Sequence, residues 1–470
     1  MSNRTALGWC LSLVLAPYLV SPLRAADPQN PTPSSITLSA AVQTAVKNYP
    51  SIRVSQDQVV AAAAAIRLAR TAYLPKADAF AQFNRATRNN VFGMILPQST
   101  LPSISGPVIG SNNLGSVWGS AVGALVSWEP FDFGLRNAEV QAADATRSRF
   151  RAAMHRTEYE VAVATADAYL TVVAAQETVR AAQAGVERAR TVATAITAQV
   201  NAELRPGADQ SRAEAELAAA STELIQAQQA VDVSRTTLAQ FTGADLSQAE
   251  LNPEGLLRPP PQATEVSSAE KTDRNPVLLE QTAAIEEARA QLRSLERTYF
   301  PRFFLQGAAF GRGSGAEVDG TRLGGLNGLA PNVQNYAVGL SVTFPILSLP
   351  ALRAREESQN ATIRAQEARS EQIKRELSAR WNRAVATLNG ARRVALNTPI
   401  QVSSARTASQ QATARYEAGL ATIAEVADAQ RLLTQAEIDD ALARLNVWRA
   451  LLEIATAAGD VRPFIAEASR

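Results

Sequence analysis

The 470-residue chain has almost none of the side chains on which metal and thiol chemistry depend: one cysteine, Cys10, and one histidine, His155. Zinc, haem and iron–sulfur sites need several such ligands, and Cys–His catalysis needs both partners together. An enzyme built on this chain would have to work with carboxylates, serine or lysine, and no cofactor is expected. Aromatic residues make up only 6% of the chain and the formal net charge is +2, so nucleic acid is not an expected partner. Beyond the N-terminus no run approaches the ~20 apolar residues that a membrane-spanning helix needs. A membrane crossing, if there is one, must use strands.

What the chain has in abundance is Ala, accompanied by Arg, Glu and Gln. These residues lose least on entering a helix, so long helices are expected. The N-terminus has another character. Arg4, the apolar stretch Leu11–Val20 and the segment Leu23-Arg24-Ala25 read as a signal peptide over residues 1–25. The apolar stretch is too short for an anchor, and Cys10 lies ahead of it, where lipidation is not expected. Cleavage after Ala25 would remove the cysteine and leave 44 basic against 44 acidic residues.

An internal repeat organises the remainder. Asn48-Tyr49-Pro50 returns as Arg274-Asn275-Pro276, and Tyr73-Leu74-Pro75 as Tyr299-Phe300-Pro301, both at a spacing of 226 residues. Pro130 matches Pro345, Leu135-Arg136 matches Leu352-Arg353, and Gly243 matches Gly459, at spacings of 215 to 217. This ordered set divides the chain into a first repeat, 26–243, a linker, 244–273, a second repeat, 274–459, and a tail, 460–470.

Each repeat carries the same succession: helix, proline, strand, loop, strand, then a long helical hairpin. Tyr336, Val338, Leu340, Val342 and Phe344 alternate with small or polar residues; Val122, Ala124, Val126 and Trp128 alternate less cleanly, with Leu125 among the intervening residues. Partner strands are expected near 78–85 and 302–310, giving hairpins at about 76–130 and 301–346. The intervening loops, 89–115 and 311–335, are rich in Gly, Ser, Asn and Pro. Uninterrupted helices are expected from Leu135 to about Leu204 and from Ala351 to Ala418, with Gly390 and Pro399 as irregularities. At ~1.5 Å per residue each would be ~100 Å long. Leu217, Leu224, Val231 and Leu238 form a seven-residue stripe, as do Ile438, Leu445 and Leu452.

Four strands cannot close a barrel, for which about eight is the small limit. In a membrane every backbone polar group must be paired, so several chains must contribute. Three chains would supply twelve strands and leave an open lumen. Trp118, Trp128, Tyr336 and Phe344 are candidates for the aromatic girdles at the membrane interfaces.

In this order, the repeated Asn-Tyr-Pro and Tyr-Leu-Pro/Tyr-Phe-Pro elements, the Trp128-Glu129-Pro130-Phe131-Asp132-Phe133-Gly134 junction and two turn segments resemble the TolC-like outer-membrane efflux protein family. The turn segments are Leu204-Arg205-Pro206-Gly207-Ala208-Asp209 and Arg415-Tyr416-Glu417-Ala418-Gly419-Leu420. The resemblance covers essentially the whole mature chain. It implies a mainly α protein with membrane β structure: a homotrimer whose twelve-stranded β-barrel, four strands per chain, continues into a long α-helical barrel. An equatorial belt would come from the region near 244–271 and the C-terminal residues.

The resemblance also implies a passive channel of a tripartite efflux or secretion system, in the outer membrane of a Gram-negative bacterium and reaching into the periplasm. Its partners would be a periplasmic adaptor protein, an inner-membrane transporter and outer-membrane lipid. Gly207, Ala208, Asp209, Gly419 and Leu420 would form the docking tips, with both glycines permitting tight turns. Glu425 and Asp428 match a carboxylate ring at the entrance, and Tyr416 matches a tip tyrosine. The arginine expected two positions after the turn glycine is replaced by Ala421. A soluble periplasmic coiled-coil scaffold or adaptor is the alternative, though no lipoyl-like β segment is evident. The loop Gly311-Arg312-Gly313-Ser314-Gly315 lacks the Lys-Ser/Thr of a phosphate cradle.

Overall fold

The structure is a computed structural model that describes residues 35–87, 115–244, 250–258, 272–317 and 321–469. The expected signal peptide and its cleavage site, most of the loop 89–115 and most of the linker 244–273 lie outside the described residues. After β1 (Ser35–Ile36) come α1 (Leu38–Asn48) and α2 (Pro50–Thr71). Tyr49 between them is extended, at φ −66° and ψ 127°. The next residue, Pro50, disfavours helical backbone at Tyr49 and is itself preset for the first helical position. Asn275 repeats this geometry, at φ −63° and ψ 129°, ahead of Pro276 and α6 (Pro276–Arg297). Both proline-led helices have 22 residues and begin 226 residues apart.

The strands β2 (Lys76–Thr87) and β3 (Ser116–Phe131), then β5 (Arg302–Ser314) and β6 (Val333–Thr343), form one antiparallel sheet in the order β2-β3-β5-β6. They are longer than the period-two pattern indicates. β3 begins six residues before Val122, and β5 runs through Gly311-Arg312-Gly313-Ser314, expected to be loop. Cross-strand backbone pairing holds these glycines in register, Gly311 opposite Val122 and Gly313 opposite Ser120. Side-chain periodicity cannot report a strand where every second residue is glycine.

The register sorts the faces. Directly opposed residues share a face, which puts Ala77, Ala79, Ala81 and Phe83 with Val122, Ala124, Val126 and Trp128. Leu305, Gly307 and Ala309 of β5 and Tyr336, Val338 and Leu340 of β6 continue that face. Phe83, Val122, Val126, Trp128, Leu305, Tyr336, Val338 and Leu340 are all exposed on it. The opposite face carries Lys76, Asp78, Gln82, Asn84, Gln306, Arg312, Asn335 and Ser341, with Phe80, Phe304 and Phe310 among them. Among the described residues neither β2 nor β6 has a partner on its outer edge.

Two helices run the length of the molecule: α3 (Leu135–Asn201), of 67 residues, and α7 (Leu349–Glu417), of 69. At ~1.5 Å per residue each extends ~100 Å. α7 passes through both Gly390 and Pro399. The proline removes one backbone donor. Beside it the Thr398 hydroxyl donates to Asp440 Oδ1 at 2.8 Å, tying that turn to the neighbouring helix. Two shorter helices, α4 (Gly207–Thr242) and α8 (Ile423–Ala458), return from the far ends, with 36 residues each. Packing places them as a wall in the order α4-α3-α8-α7, and nearer the sheet as α2-α3-α6-α7. The heptad stripes face inward: Ile438, Leu445 and Leu452 are buried, and Leu217, Leu224 and Val231 half-buried ahead of buried Leu238.

Halfway along α3 the wall thickens. β1 pairs in parallel with β4 (Glu250–Leu251) beside α5 (Glu254–Leu257) and α9 (Arg462–Ala468). Ile36, Leu38, Leu256, Trp448 and Phe464 pack there around Tyr169. The Tyr169 hydroxyl reaches the carbonyl oxygens of Ile36 and Asn252 at 2.9 and 3.0 Å, and burial pushes its pKa up. Among the described residues no helix is long and apolar enough to cross a membrane.

Candidate functional site

The ends of the helices farthest from the sheet are built from two nearly identical turns. α3 ends in a Schellman motif: Leu204 N–H donates to the Gln199 carbonyl and Glu203 N–H to that of Val200, each at 2.9 Å. α7 ends likewise, with Leu420 N–H to the Arg415 carbonyl at 2.8 Å and Gly419 N–H to that of Tyr416 at 2.9 Å. Corresponding positions lie 216 residues apart, and the left-handed residue is Gly419 (φ 74°) in one turn and Glu203 (φ 61°) in the other. Gly207 therefore does not supply the positive φ expected of it. It is the first residue of α4, behind the N-cap Pro206. The counterpart of Gly419 is a glutamate, which bears the strain of a Cβ in that region.

The same spacing sets Arg205 opposite Ala421, and the arginine missing from the second turn is present in the first. The Arg205 guanidinium lies over the Tyr416 ring at 4.4 Å, and its Nη2 donates to the Tyr416 carbonyl at 2.8 Å. Tyr416 is buried among Ile196, Ile423 and Val426. Its hydroxyl donates to Asp209 Oδ2 at 3.4 Å. Burial, and then the Asp209 charge, hold its pKa above the ordinary phenol value. Asp209 sits in the first turn of α4, where the helix dipole favours a carboxylate. One tip thus grips the other through three side chains, of which Arg205 went unpredicted. Carrying the 216-residue spacing of Gly243 and Gly459 to the turns pairs it with Ala421 and exposes it.

Glu425 and Asp428 share one exposed face of α8. Glu425 also caps its own helix. Its N–H donates to Thr422 Oγ1, and its Oε1 accepts from the Thr422 N–H at 3.2 Å. Asp428 forms an ion pair with Arg431, whose Nε stands 3.8 Å from Glu216. Ala208 follows Gly207 in the first turn of α4, and Leu420 is exposed at the tip, as is Leu204 at the other. Two ion pairs above the tip join three helices: Arg188 of α3 reaches Glu437 of α8 at 3.0 Å, and Arg406 of α7 reaches it at 3.5 Å.

At the other end, all four strand termini that lead to helices lie together. Trp128 Nε1 donates to the Tyr73 carbonyl at 3.1 Å. Phe344 follows β6 as an exposed side chain, and Tyr336 is exposed within β6. Trp118 lies on β3 toward the opposite rim, under the guanidinium of Arg85. Between strands and helices Asp132 accepts from Arg136 N–H and Nε, each at 2.7 Å, and from Gly134 N–H at 3.0 Å. His155 lies on the exposed side of α3 beside Glu158, 3.1 Å away.

Two sets of long helical hairpins rooted in a sheet with one apolar face define a membrane-associated tube wall. The profile of the outer membrane efflux protein family matches residues 41–244 and 269–460, and the chain belongs to that family. Solved structures agree in fold. The outer-membrane channel OprN has a TM-score of 0.72 at 19% identity, covering 90% of this chain and 89% of that one. The CmeC outer membrane channel of Campylobacter jejuni scores 0.71 at 15%, covering 92% and 89%. VceC, an outer membrane protein of Vibrio cholerae, scores 0.69 at 17%, covering 90% and 96%. No curated protein sequence matches the chain. As a member of that family the protein is an outer membrane efflux protein, and it has the fold of solved outer-membrane channels.

Proposed function

We propose that three copies assemble into a passive conduit in which twelve strands close a barrel and the helices continue it as a periplasmic tube. The observation that carries this reading is the sheet: one apolar face, one more polar face and two unpaired edges. In lipid such edges must be paired, and joining the β2 edge of one copy to the β6 edge of the next does so. Trp118, Trp128, Tyr336 and Phe344 would then mark the membrane interfaces. The two repeats, 26–243 and 274–459, each contribute a hairpin of strands and one of helices. The described linker residues 250–258 and the tail residues 460–469 thicken the wall at mid-height.

The tips at Gly207, Ala208, Asp209, Gly419 and Leu420 would dock a periplasmic adaptor joined to an inner-membrane transporter, which supplies the energy. The chain needs no active site of its own. The entrance would be narrowed by Glu425 and Asp428, multiplied over three chains and attractive to cations. Opening would release the Arg205–Tyr416–Asp209 grip, freeing α7 and α8 to move from α3 and α4. Membrane fractionation with unheated gel migration tests the assembly. A heat-dissociable outer-membrane trimer is expected, and a soluble monomer would replace this reading with that of a periplasmic scaffold. Glu425→Gln with Asp428→Asn, which keeps the cap hydrogen bonds, should weaken divalent-cation block in single-channel recordings. Unchanged block would remove the two carboxylates from the entrance.

A further inference from the structure

Gly311, Gly313 and Gly315 recur at every second residue at the end of β5 and just beyond it, and the channel reading gives them no role. Gly311 stands opposite Val122 and Gly313 opposite Ser120, so both belong to the apolar face of the sheet. Gly315 continues the series beside Trp118, whose carbonyl accepts from its N–H at 2.8 Å. The β5–β6 loop fills the space that their side chains would take. A Cβ at Gly315 would lie 2.5 Å from the Asn327 carbonyl oxygen, and one at Gly313 2.4 Å from that of Ala330. One at Gly311 would lie 3.1 Å from Pro331 Cβ. Seen from the loop, a Cβ at Gly328 would lie 2.2 Å from the Trp118 carbonyl oxygen. Residues 327–331 therefore lie as a strap directly on the apolar face, in a track that glycine keeps open for close backbone approach.

The chemistry of the strap suits surroundings without water. Arg322, just ahead of it, pairs with Ala316, and its guanidinium fills the side-chain position of Gly115 on the polar face. Residues 323–352 carry no charged side chain. Leu323 and Leu326 are exposed, Leu326 at 73%. The backbone is satisfied from within the protein. Asn327 Nδ2 donates to the carbonyls of Leu323 and Gly324 at 3.1 and 3.0 Å. The N–H groups of Leu323, Leu329 and Asn332 donate to the carbonyls of Gly315, Leu326 and Arg312. Lipid demands such internal pairing, which a loop in water does not need. The level fits as well. Trp118 and Trp128 are ten residues apart on β3, which is ~34 Å along a strand, or ~25 Å along the membrane normal at the usual barrel tilt, the height of an outer-membrane apolar band. The track from Gly315 to Gly311 covers the outer ~10 Å of that band.

We propose that residues 323–331 form an apolar strap on the outside of the barrel that lies among the acyl chains of the outer leaflet, with Leu323 and Leu326 as its lipid contacts. The inference rests on the proposed membrane placement of the sheet. It makes this half of the β5–β6 loop part of the lipid-facing surface, continuous with Val122, Val338 and Leu340. The competing setting is the water outside the membrane.

The test is spin labelling of the full chain reconstituted in phospholipid bilayers. The label's collisions with oxygen, which concentrates in lipid, are compared with those with a nickel chelate, which stays in water. Cys10 lies within the segment read as a signal, so each introduced thiol is unique. Labels at Leu323→Cys and Leu326→Cys should give an oxygen-to-nickel ratio several-fold above that at Leu204→Cys on the far tip. Their ratio should be close to that at Val338→Cys on the apolar face. Gly313→Ala, which drives a methyl group into the Ala330 carbonyl, should lower the ratio of the Leu326→Cys label several-fold and leave that of Val338→Cys unmoved. Should Gly313→Ala fail to assemble, the labels at Leu323→Cys and Leu326→Cys decide the question by themselves. A Leu326→Cys ratio as low as that of Leu204→Cys, with Val338→Cys still in lipid, would overturn this inference alone. So would a Leu326→Cys ratio that Gly313→Ala does not move in an assembled channel. Val338→Cys reading as water would instead fail the channel reading, and this inference with it.

Discussion

Asp132 and Arg136 join strand to helix with both side chains nearly buried, at 10% and 7% exposure. Burial alone would raise the Asp132 pKa, but hydrogen bonds from the Arg136 side chain and backbone and from Gly134 outweigh it and hold it below the ordinary value. Arg136 also donates to the Ala72 carbonyl at 3.2 Å and covers the Tyr73 ring, so it fixes the end of α2 as well. Asp132→Ala leaves a buried cation without its partner and should cost about 3–5 kcal/mol, read from thermal unfolding. Because the folded pKa is the lower one, this stabilisation is present above the ordinary carboxylate pKa and is lost as pH falls through the folded value. A melting temperature that holds across neutral pH and drops below about pH 4 is expected, with a smaller drop in Asp132→Asn.

At the same scale the two tip turns make a matched pair. Glu203→Gly should stabilise the first turn by up to about 1 kcal/mol, and Gly419→Ala should destabilise the second by a similar amount. Opposite signs in denaturant midpoints would agree with the shared Schellman geometry; a destabilised Glu203→Gly would not. The turns show how local signals mislead. Gly207 stands out in the sequence as a turn glycine, yet backbone hydrogen bonds from Leu204 and Glu203 had already closed the turn. Repeat spacing, which aligns Gly243 with Gly459, points to Glu203 and Arg205 instead.

Elements were legible wherever side chains report a period. The heptads of α4 and α8 and the alternation of β6 could be read directly, because one face of each must differ from the other. Strand ends at Gly311 and Gly313 could not, and neither could the way α7 accommodates Pro399. There the decision lies with pairing across strands and with the contact between α7 and α8. Between helices, Glu437 of α8 draws Arg188 and Arg406 together, and Arg188 also donates to Thr434 at 2.8 Å. Glu437→Gln should cost about 1–2 kcal/mol, since it weakens charge-assisted bonds without opening a cavity. Because those bonds link one helical hairpin to the other, faster amide exchange should appear in α3 and α8 around residues 185–195 and 430–440. Uniform exchange across all four long helices would mean that the three side chains do not couple the hairpins.

In the whole molecule the wall is unfinished at both margins. α4 and α7 stand at opposite ends of the order α4-α3-α8-α7, and each exposes apolar side chains that nothing among the described residues covers: Ile225 and Val233 on α4, and Leu396 and Ile400 on α7. These residues lie at matching heights. Ile225 is 18 residues from the start of α4 and Ile400 is 17 residues before the end of α7, so both sit ~26 Å above the tip. Charge favours the same contact. The stretch of α7 from Leu377 to Tyr416 holds six arginines and no Asp or Glu, whereas α4 holds five acidic residues against two arginines. A second copy placing its α4 against this α7 would cover both apolar rows, and three such contacts would close the tube. Cys10 is the only cysteine and lies within the segment read as a signal, so introduced thiols can report the contact without background. Ile225→Cys combined with Ile400→Cys should cross-link neighbouring chains through a short bifunctional maleimide, giving covalent dimers and trimers on a denaturing gel. Each single variant should remain monomeric there, because its thiols face no partner thiol. A double variant that stays monomeric while still migrating as a trimer unheated would place another pair of helices at the seam.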